Sequence, residues 1–453
     1  MRSSFNKFLY PIVLLGGIAA ITAAVLWTTA ETGPEPTAAV KPASAPAPDP
    51  LKIVLTPISG DTKLDGQIAD LQARIKDAAD KGALLERLGW AFVSKARVSS
   101  DPGYYTLAEQ AAKAITATTP NDPAATLLLG HTYHAMHRFA DAEAAARALI
   151  GRREFVFDYA LLGDALMEQG KLEPAVEAYQ KMVDLKPSLQ TYSRIAHMRW
   201  LKGDLRGAID ASRLAVSSGS AREAEPTAWA YTRLALHELQ AGEFDQAKVA
   251  AERAVNLMPD YAPALLVRGR LLLSQLKYEE AIEPLRRAAE LSPLPDYLWA
   301  LADALRGASK ASEAEKVESQ LSATGAASDP RTLAIFLASR GVNADKALEL
   351  ATAELQSRKD IFTYDALAWA QLATGRINEA REHIRLALAE GTQDARLYFH
   401  AGAIAAAAGD EAEALDFFGK ARALEHTLLP SERLALGERS AALFQAPSQL
   451  SIK

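Results

Sequence analysis

Cysteine is absent from the 453 residues of this chain. That excludes disulfide bridges, thiolate metal centres, a cysteine nucleophile and a lipid-modified N-terminal cysteine, and it fits any redox compartment. Also missing are a glycine-rich phosphate loop, a G-x-S-x-G nucleophile elbow and an H-E-x-x-H zinc motif. There is no surplus of positive charge: 50 Lys and Arg stand against 56 Asp and Glu, a formal net charge of −6. Without Arg2 and Lys7 at the N-terminus the balance is 48 against 56, or −8. A body of that sign does not neutralise phosphates, so nucleic acid is not an expected partner.

What is there begins with an uncharged run from Phe8 to Ala30, almost wholly apolar between Ile12 and Trp27. About 20 such residues cross the bilayer core as a helix. Arg2 and Lys7 precede the run and the next basic residue is Lys41. The positive-inside bias therefore predicts a cytoplasmic tail (1–7), a single inner-membrane helix (8–30) and a periplasmic body. The competing reading is a cleaved signal peptide ending at Thr28-Thr29-Ala30, but signal cores are shorter than this one. Residues 31–60 follow as a Pro/Ala-rich linker, with Pro34, Pro36, Pro42, Pro46, Pro48 and Pro50 among Ala, Thr and Ser. Proline denies it regular hydrogen bonding, so it is expected to act as an extended spacer.

At this length a single hydrophobic core is not expected, and 49% hydrophobic with 23% charged residues describes a folded chain. Internal periodicity supplies the organisation. Ala108, Ala142, Ala175, Ala208, Ala247, Ala281, Ala314, Ala347, Ala380 and Ala414 follow one another at 34, 33, 33, 39, 34, 33, 33, 33 and 34 residues. Twelve residues before the Ala stands Gly130, Gly163, Ala196, Ala235, Gly269, Ala302, Ala368 or Gly402. Large aliphatics precede these by one position, as at Leu129, Leu162, Ile195, Leu234, Leu301 and Leu367. Tyrosines recur three positions earlier, and Gly170, Gly203, Gly242, Gly375 and Gly409 lie five before the Ala. Pro187, Pro259 and Pro293 close three of the units, twelve after it. Apolar residues at helical spacing on both sides of the Gly make each unit two helices with a break between them. The Gly permits a left-handed turn, the small residues permit close helix approach, and the Pro ends the second helix.

These columns resemble the tetratricopeptide repeat, over ten units and roughly three quarters of the chain. The resemblance implies an all-α fold: an α-solenoid of helix-turn-helix repeats wound as a right-handed superhelix, growing as a curved rod behind its N-terminal transmembrane helix. The expected organisation is a capping helix over 61–81, the repeat array over 82–428, and a C-terminal capping helix and tail over 429–453. Inserts are expected near Ser99 to Tyr105 and Ser217 to Pro226. The eighth unit carries Ala334 and Ile335 in place of Leu-Gly, which marks a candidate kink or break.

Catalysis is not expected, because repeats, caps, linker and anchor occupy the whole chain. His131, His134 and His137 spread over one helix side at three-residue spacing, a weak basis for a metal site within the repeats. No cofactor is expected. In the resembling family the first helix of each unit lines the concave surface, which here implies a stripe eighteen, fifteen, eleven, eight and seven residues before the Ala. Trp229, Trp299, Trp369 and Trp200 occupy it, with Phe157, Phe362, Phe399 and His197. The rings either fill space between neighbouring first helices or form a groove for a partner, since Trp and Tyr concentrate interface energy. The expected function is a membrane-anchored scaffold that binds a protein or peptide, in envelope assembly or secretion of a bacterial type. Polysaccharide is the second partner class, because aromatic rings stack on sugars.

Overall fold

The computed structural model describes residues 48–445 apart from 61 and 100. The cytoplasmic tail, the apolar run 8–30 and the proline-rich segment up to residue 47 lie outside the described residues, as does the tail from 446. Among the described residues no helix is long and apolar enough to cross a membrane. They contain 23 α-helices, two short 3-10 turns and no strand.

Two helices, α1 (Pro50–Val54) and α2 (Lys63–Asp77), precede the array. Ten helical hairpins follow. They are α3–α4 (Gly82–Ser99, Gly103–Thr118), α5–α6 (Pro123–Ala135, Phe139–Ile150) and α7–α8 (Val156–Glu168, Leu172–Leu185). Next come α9–α10 (Leu189–Leu201, Leu205–Ser217), α11–α12 (Ala224–Gln240, Phe244–Leu257) and α13–α14 (Ala262–Ser274, Tyr278–Leu291). The series ends with α15–α16 (Pro295–Gly307, Ala311–Ser328), α17–α18 (Pro330–Arg340, Ala344–Ser357), α19–α20 (Ile361–Ala373, Ile377–Leu388) and α21–α22 (Ala395–Ala407, Glu411–Ala423). A last helix, α23 (Pro430–Gln445), closes the described chain.

All ten alanines of the repeat column lie on the second helix of their hairpin at 0% exposure. A larger side chain there would drive the two helices apart, and close packing makes even one methylene felt. The facing position is glycine where the second helix brings a bulky group. An added Cβ at Gly163 would meet the Tyr179 ring, and one at Gly269 or Gly402 would meet Leu285 or Phe418.

The hairpin turn demands positive φ. Gly170, Gly203, Gly242, Gly375 and Gly409 have φ of 73°, 78°, 73°, 76° and 79°. Where the column lacks glycine the turn persists: His137, Leu276 and Ser309 hold φ of 59°, 60° and 61° at the same register. The array imposes this conformation on residues that adopt it only at a cost.

Three regions differ from expectation. The spacer gives way to structure before residue 60. In α1, Val54 is fully buried, and Gln72 of α2 donates to the Val54 and Thr56 carbonyls at 2.8 and 2.9 Å, so this stretch belongs to the cap. The eighth hairpin is intact; its first helix is short, and its turn uses Gly341 (φ 63°) with Asn343 (φ 53°). Finally, the array does not extend as an open rod. The Lys359 amide donates to the Glu168 carbonyl at 3.0 Å, and Gln393 Nε2 to that of Gly203 at 3.1 Å. Thr392 Oγ1 donates to the Leu201 carbonyl, and His426 Nε2 lies 2.9 Å from that of Leu239. These pairs are separated by 191, 190, 191 and 187 residues. The near-constant offset means that the coil completes a turn in about 5.6 units of 34 residues, and that the second turn rests on the first.

Glycine replacement separates these two constraints. Gly242→Ala has open space around it and is expected to lose about 1–2 kcal/mol through its φ alone. At Gly203 the new Cβ would also lie 2.5 Å from the Gly391 carbonyl oxygen. Gly203→Ala should therefore lose more in urea melts and raise hydrogen exchange around Gly391, whereas Leu276→Gly should gain stability.

Candidate functional site

At most junctions the first helix of a hairpin packs on the first helix of the next, α7 and α9 meeting through the Arg194–Asp164 pair, while successive second helices approach one another less closely. The first helices therefore form the inner wall of the coil, which is where the aromatic stripe was expected. The structure divides that stripe into three groups.

Trp299, Trp369 and Phe399 are buried, at 0%, 3% and 1% exposure. Trp299 Nε1 donates to Ser431 Oγ at 3.4 Å, the Phe336 ring meets it edge-on, and the Arg396 guanidinium lies over its face at 5.3 Å. Trp369 Nε1 donates to Ser339 Oγ at 2.9 Å, His400 stacks on the ring at 3.9 Å, and the Arg439 guanidinium lies 5.3 Å from the ring centre. Ser431 and Arg439 belong to α23, so the C-terminal helix covers the inner face of this half of the array besides capping its end. These three rings are core and offer no open groove.

Trp200, His197 and Phe362 sit half-buried where the two turns meet. The Trp200 and Phe362 rings stack across the seam at 5.7 Å, and His197 lies 5.6 Å from Trp200. Burial, then the neighbouring Arg233, pushes the His197 imidazole down to about 3, so it stays neutral. Phe157 and Trp229 remain 40% and 38% exposed, both eighteen residues before their alanine.

The three histidines of the second unit do not converge on one point. His131 faces Arg97 at 3.2 Å and is pushed down to about 3 by burial and by that guanidinium. His137 forms the hairpin turn and faces Arg358 of the second coil turn at 3.4 Å. Among the described residues no three His, Asp or Glu side chains gather to hold a metal ion.

Sequence reasoning missed the charge on this inner wall. Arg270 and Gln240 stand eleven and seven residues before their alanines, and Arg396 eighteen, the offsets used above for the rings. Arg194 holds Asp164 through two bonds of 2.8 and 2.6 Å, with the Tyr179 hydroxyl donating to the same carboxylate. Burial opposes ionisation of Asp164, yet Arg194 keeps it below the usual carboxylate range. Arg358 ties the turns together, contacting Glu168 at 2.6 Å on one side and Glu354 at 3.3 Å on the other. His400 and Asp365 form a buried pair at 2.8 Å behind Trp369.

Of the cavities walled by both coil turns, two border the half-buried Trp200, His197 and Phe362. The larger, of about 410 Å³, is lined by Met167, His197, Leu201, Arg331, Arg358 and Phe362, among others. The smaller, of about 180 Å³, includes Trp200, Arg233, His237, Arg270, Asp394 and Arg396 in its wall.

Comparison with known proteins identifies part of this array. A tetratricopeptide-repeat family model matches residues 127–189 and 232–294, together a little over a quarter of the chain. The chain thus carries tetratricopeptide repeats within an all-helical solenoid of that type. No curated protein matches it. Among solved structures, a crystal structure of MamA protein is 22% identical, over 38% of this chain and 92% of the other, with a TM-score of 0.30. A second crystal structure of MamA is 23% identical, over 35% of this chain and 92% of the other, again with a TM-score of 0.30.

Two measurements test the seam and the cover. Arg358→Met strands Glu168 beside the second turn; the two side chains are 13% and 18% exposed, so the loss should fall below the roughly 3–5 kcal/mol of a fully buried pair. Urea melts should show that loss, with hydrogen exchange rising at 168–171. Burial pushes Asp303, which accepts from the Ser431 amide at 2.8 Å, up to about 6. A raised acid favours the folded state in its protonated form, so stability should fall as pH rises from about 4 to about 6. Asp303→Asn should flatten that part of the profile.

Proposed function

We propose that this chain is a non-catalytic scaffold that holds a protein or peptide segment against the inner wall of its third to fifth repeats. The observation that carries the reading is the pair Phe157 and Trp229. They stand at the same register of their units and stay exposed, while equivalent rings further along are covered. Large rings with open faces are costly to leave in water and concentrate binding energy when a partner covers them. The tetratricopeptide match over 127–189, which includes Phe157, and over 232–294, which begins just after Trp229, supports protein as the partner class.

The rest of the reading comes from the sequence. The apolar run 8–30, the flanking Arg2 and Lys7 and the proline-rich spacer favour an inner-membrane anchor with the array on the periplasmic side. In that position the scaffold serves envelope assembly or secretion. An unprocessed chain in the membrane fraction is the expected result of immunoblotting.

Affinity capture with crosslinking from solubilised membranes tests the binding surface. Phe157→Ala and Trp229→Ala should each reduce recovery of one reproducible partner at least tenfold with an unchanged circular dichroism spectrum. Trp369→Ala should instead unfold or destabilise the array by about 3–5 kcal/mol, the usual cost of deleting a buried aromatic. Full recovery with both exposed rings removed would refute the assignment. Tryptophan quenching by oligosaccharides but not by the captured partner would move it to carbohydrate.

A further inference from the structure

The wall of the smaller cavity has too many donors for its acceptors. Arg233, on α11, has one polar partner, His197 Nδ1 at 3.2 Å, and among the described residues no carboxylate pairs with it. Burial pulls its guanidinium down to about 10, with no acid acting in the other direction. Three more nitrogens of the wall have no hydrogen-bond partner: Trp200 Nε1, His237 Nε2 and Arg270 Nε. His237 is 2% exposed, and its Nδ1 is already engaged by Ser212 Oγ at 2.9 Å. When Ser212 donates to that nitrogen, Nε2 carries the ring proton.

The acceptors, by contrast, are mostly in use. Glu432 takes Arg396 and the Leu429 amide through both oxygens, Asp394 takes the Arg396 and Leu397 amides through Oδ1 alone, and Asp296 takes Arg270. Arg233 is half-buried, and a cation partly withdrawn from water without a counter-charge is destabilised, while a water molecule accepts a hydrogen bond without cancelling the charge.

We propose that this cavity binds a small free oxyanion of the phosphate or sulfate class, with Arg233 as its counter-charge and Trp200, His237 and Arg270 supplying further donors. Its volume of about 180 Å³ holds one such ion with a few waters, at about 30 Å³ each. That is too little for a peptide segment. The site is distinct from the exposed rings of the third and fifth repeats. Its wall comes from both coil turns: α9, α11 and α13 from the first, and residues 394–432 from the second. A bound oxyanion therefore joins the turns as well as filling the hole.

The test uses the full chain in detergent, equilibrated in chloride and titrated with inorganic phosphate or sulfate at constant ionic strength. Calorimetry should show a one-site heat for at least one of these ions, and the melting temperature should rise with its concentration. Hydrogen exchange at 425–429 should fall in parallel. Arg233→Met should weaken binding at least a hundredfold. In chloride alone that variant should melt no lower than the parent, because it has lost a charge that nothing neutralised. Trp200→Phe should keep the fold and weaken binding severalfold. Heats no larger than those of further chloride would leave the cavity with water only and overturn the proposal. So would a response that survives Arg233→Met, which marks ions scattered on the surface. If Arg233→Met fails to fold, the guanidinium is a structural part, and unchanged affinity in Trp200→Phe then rejects the site.

Discussion

The contact between successive coil turns sets the form of this molecule. In an ordinary solenoid each unit touches only its neighbours, and stability is a sum of local terms. Here the hairpin turns of the third, fourth and fifth units receive hydrogen bonds from the connections that follow the eighth, ninth and tenth. Ion pairs reinforce the seam at Arg358 and at Lys202, which reaches both Glu173 and Glu390. Long-range contacts of this kind couple units that would otherwise fray independently. The C-terminal helix α23 closes part of the inner wall by covering Trp299 and Trp369, so little of a groove is left there.

The local architecture was legible because it rests on short-range rules. Ten alanines at a near-constant period announced ten hairpins, and each proved to be fully buried. Glycines five residues earlier announced the left-handed turns, although His137, Leu276 and Ser309 show that the turn outlasts its preferred residue. What stayed hidden was cumulative. The rotation between neighbouring units is a small quantity that no single column encodes, and only its sum decides whether the turns meet. For that reason the aromatic stripe could be located from spacing, whereas the separate fates of Trp229 and Trp299 could not.

Charge followed the same division. The offsets that located the rings also place Arg270 and Arg396 on the inner wall. Their partners, Asp296 and Glu432, come from the next unit and from the C-terminal helix. A periodic column shows which side chains share a face, but it does not show which acid arrives to neutralise them. Arg194 and Arg233 illustrate this, both standing fourteen residues before their alanine. The first finds Asp164 on the preceding unit; the second finds only a neutral histidine.

The offset of about 190 residues between seam partners has a consequence for how such a chain can change over generations. Open solenoids lengthen or shorten by whole units with little penalty, because every internal junction is equivalent. In this coil, duplicating or losing one unit between Gly203 and Lys359 would slide one half of the seam past the other by a full period. Thr392 would then no longer meet the Leu201 carbonyl, and Arg358 would no longer meet Glu168. Unit number in that stretch is therefore held fixed like the tooth count of a meshed gear.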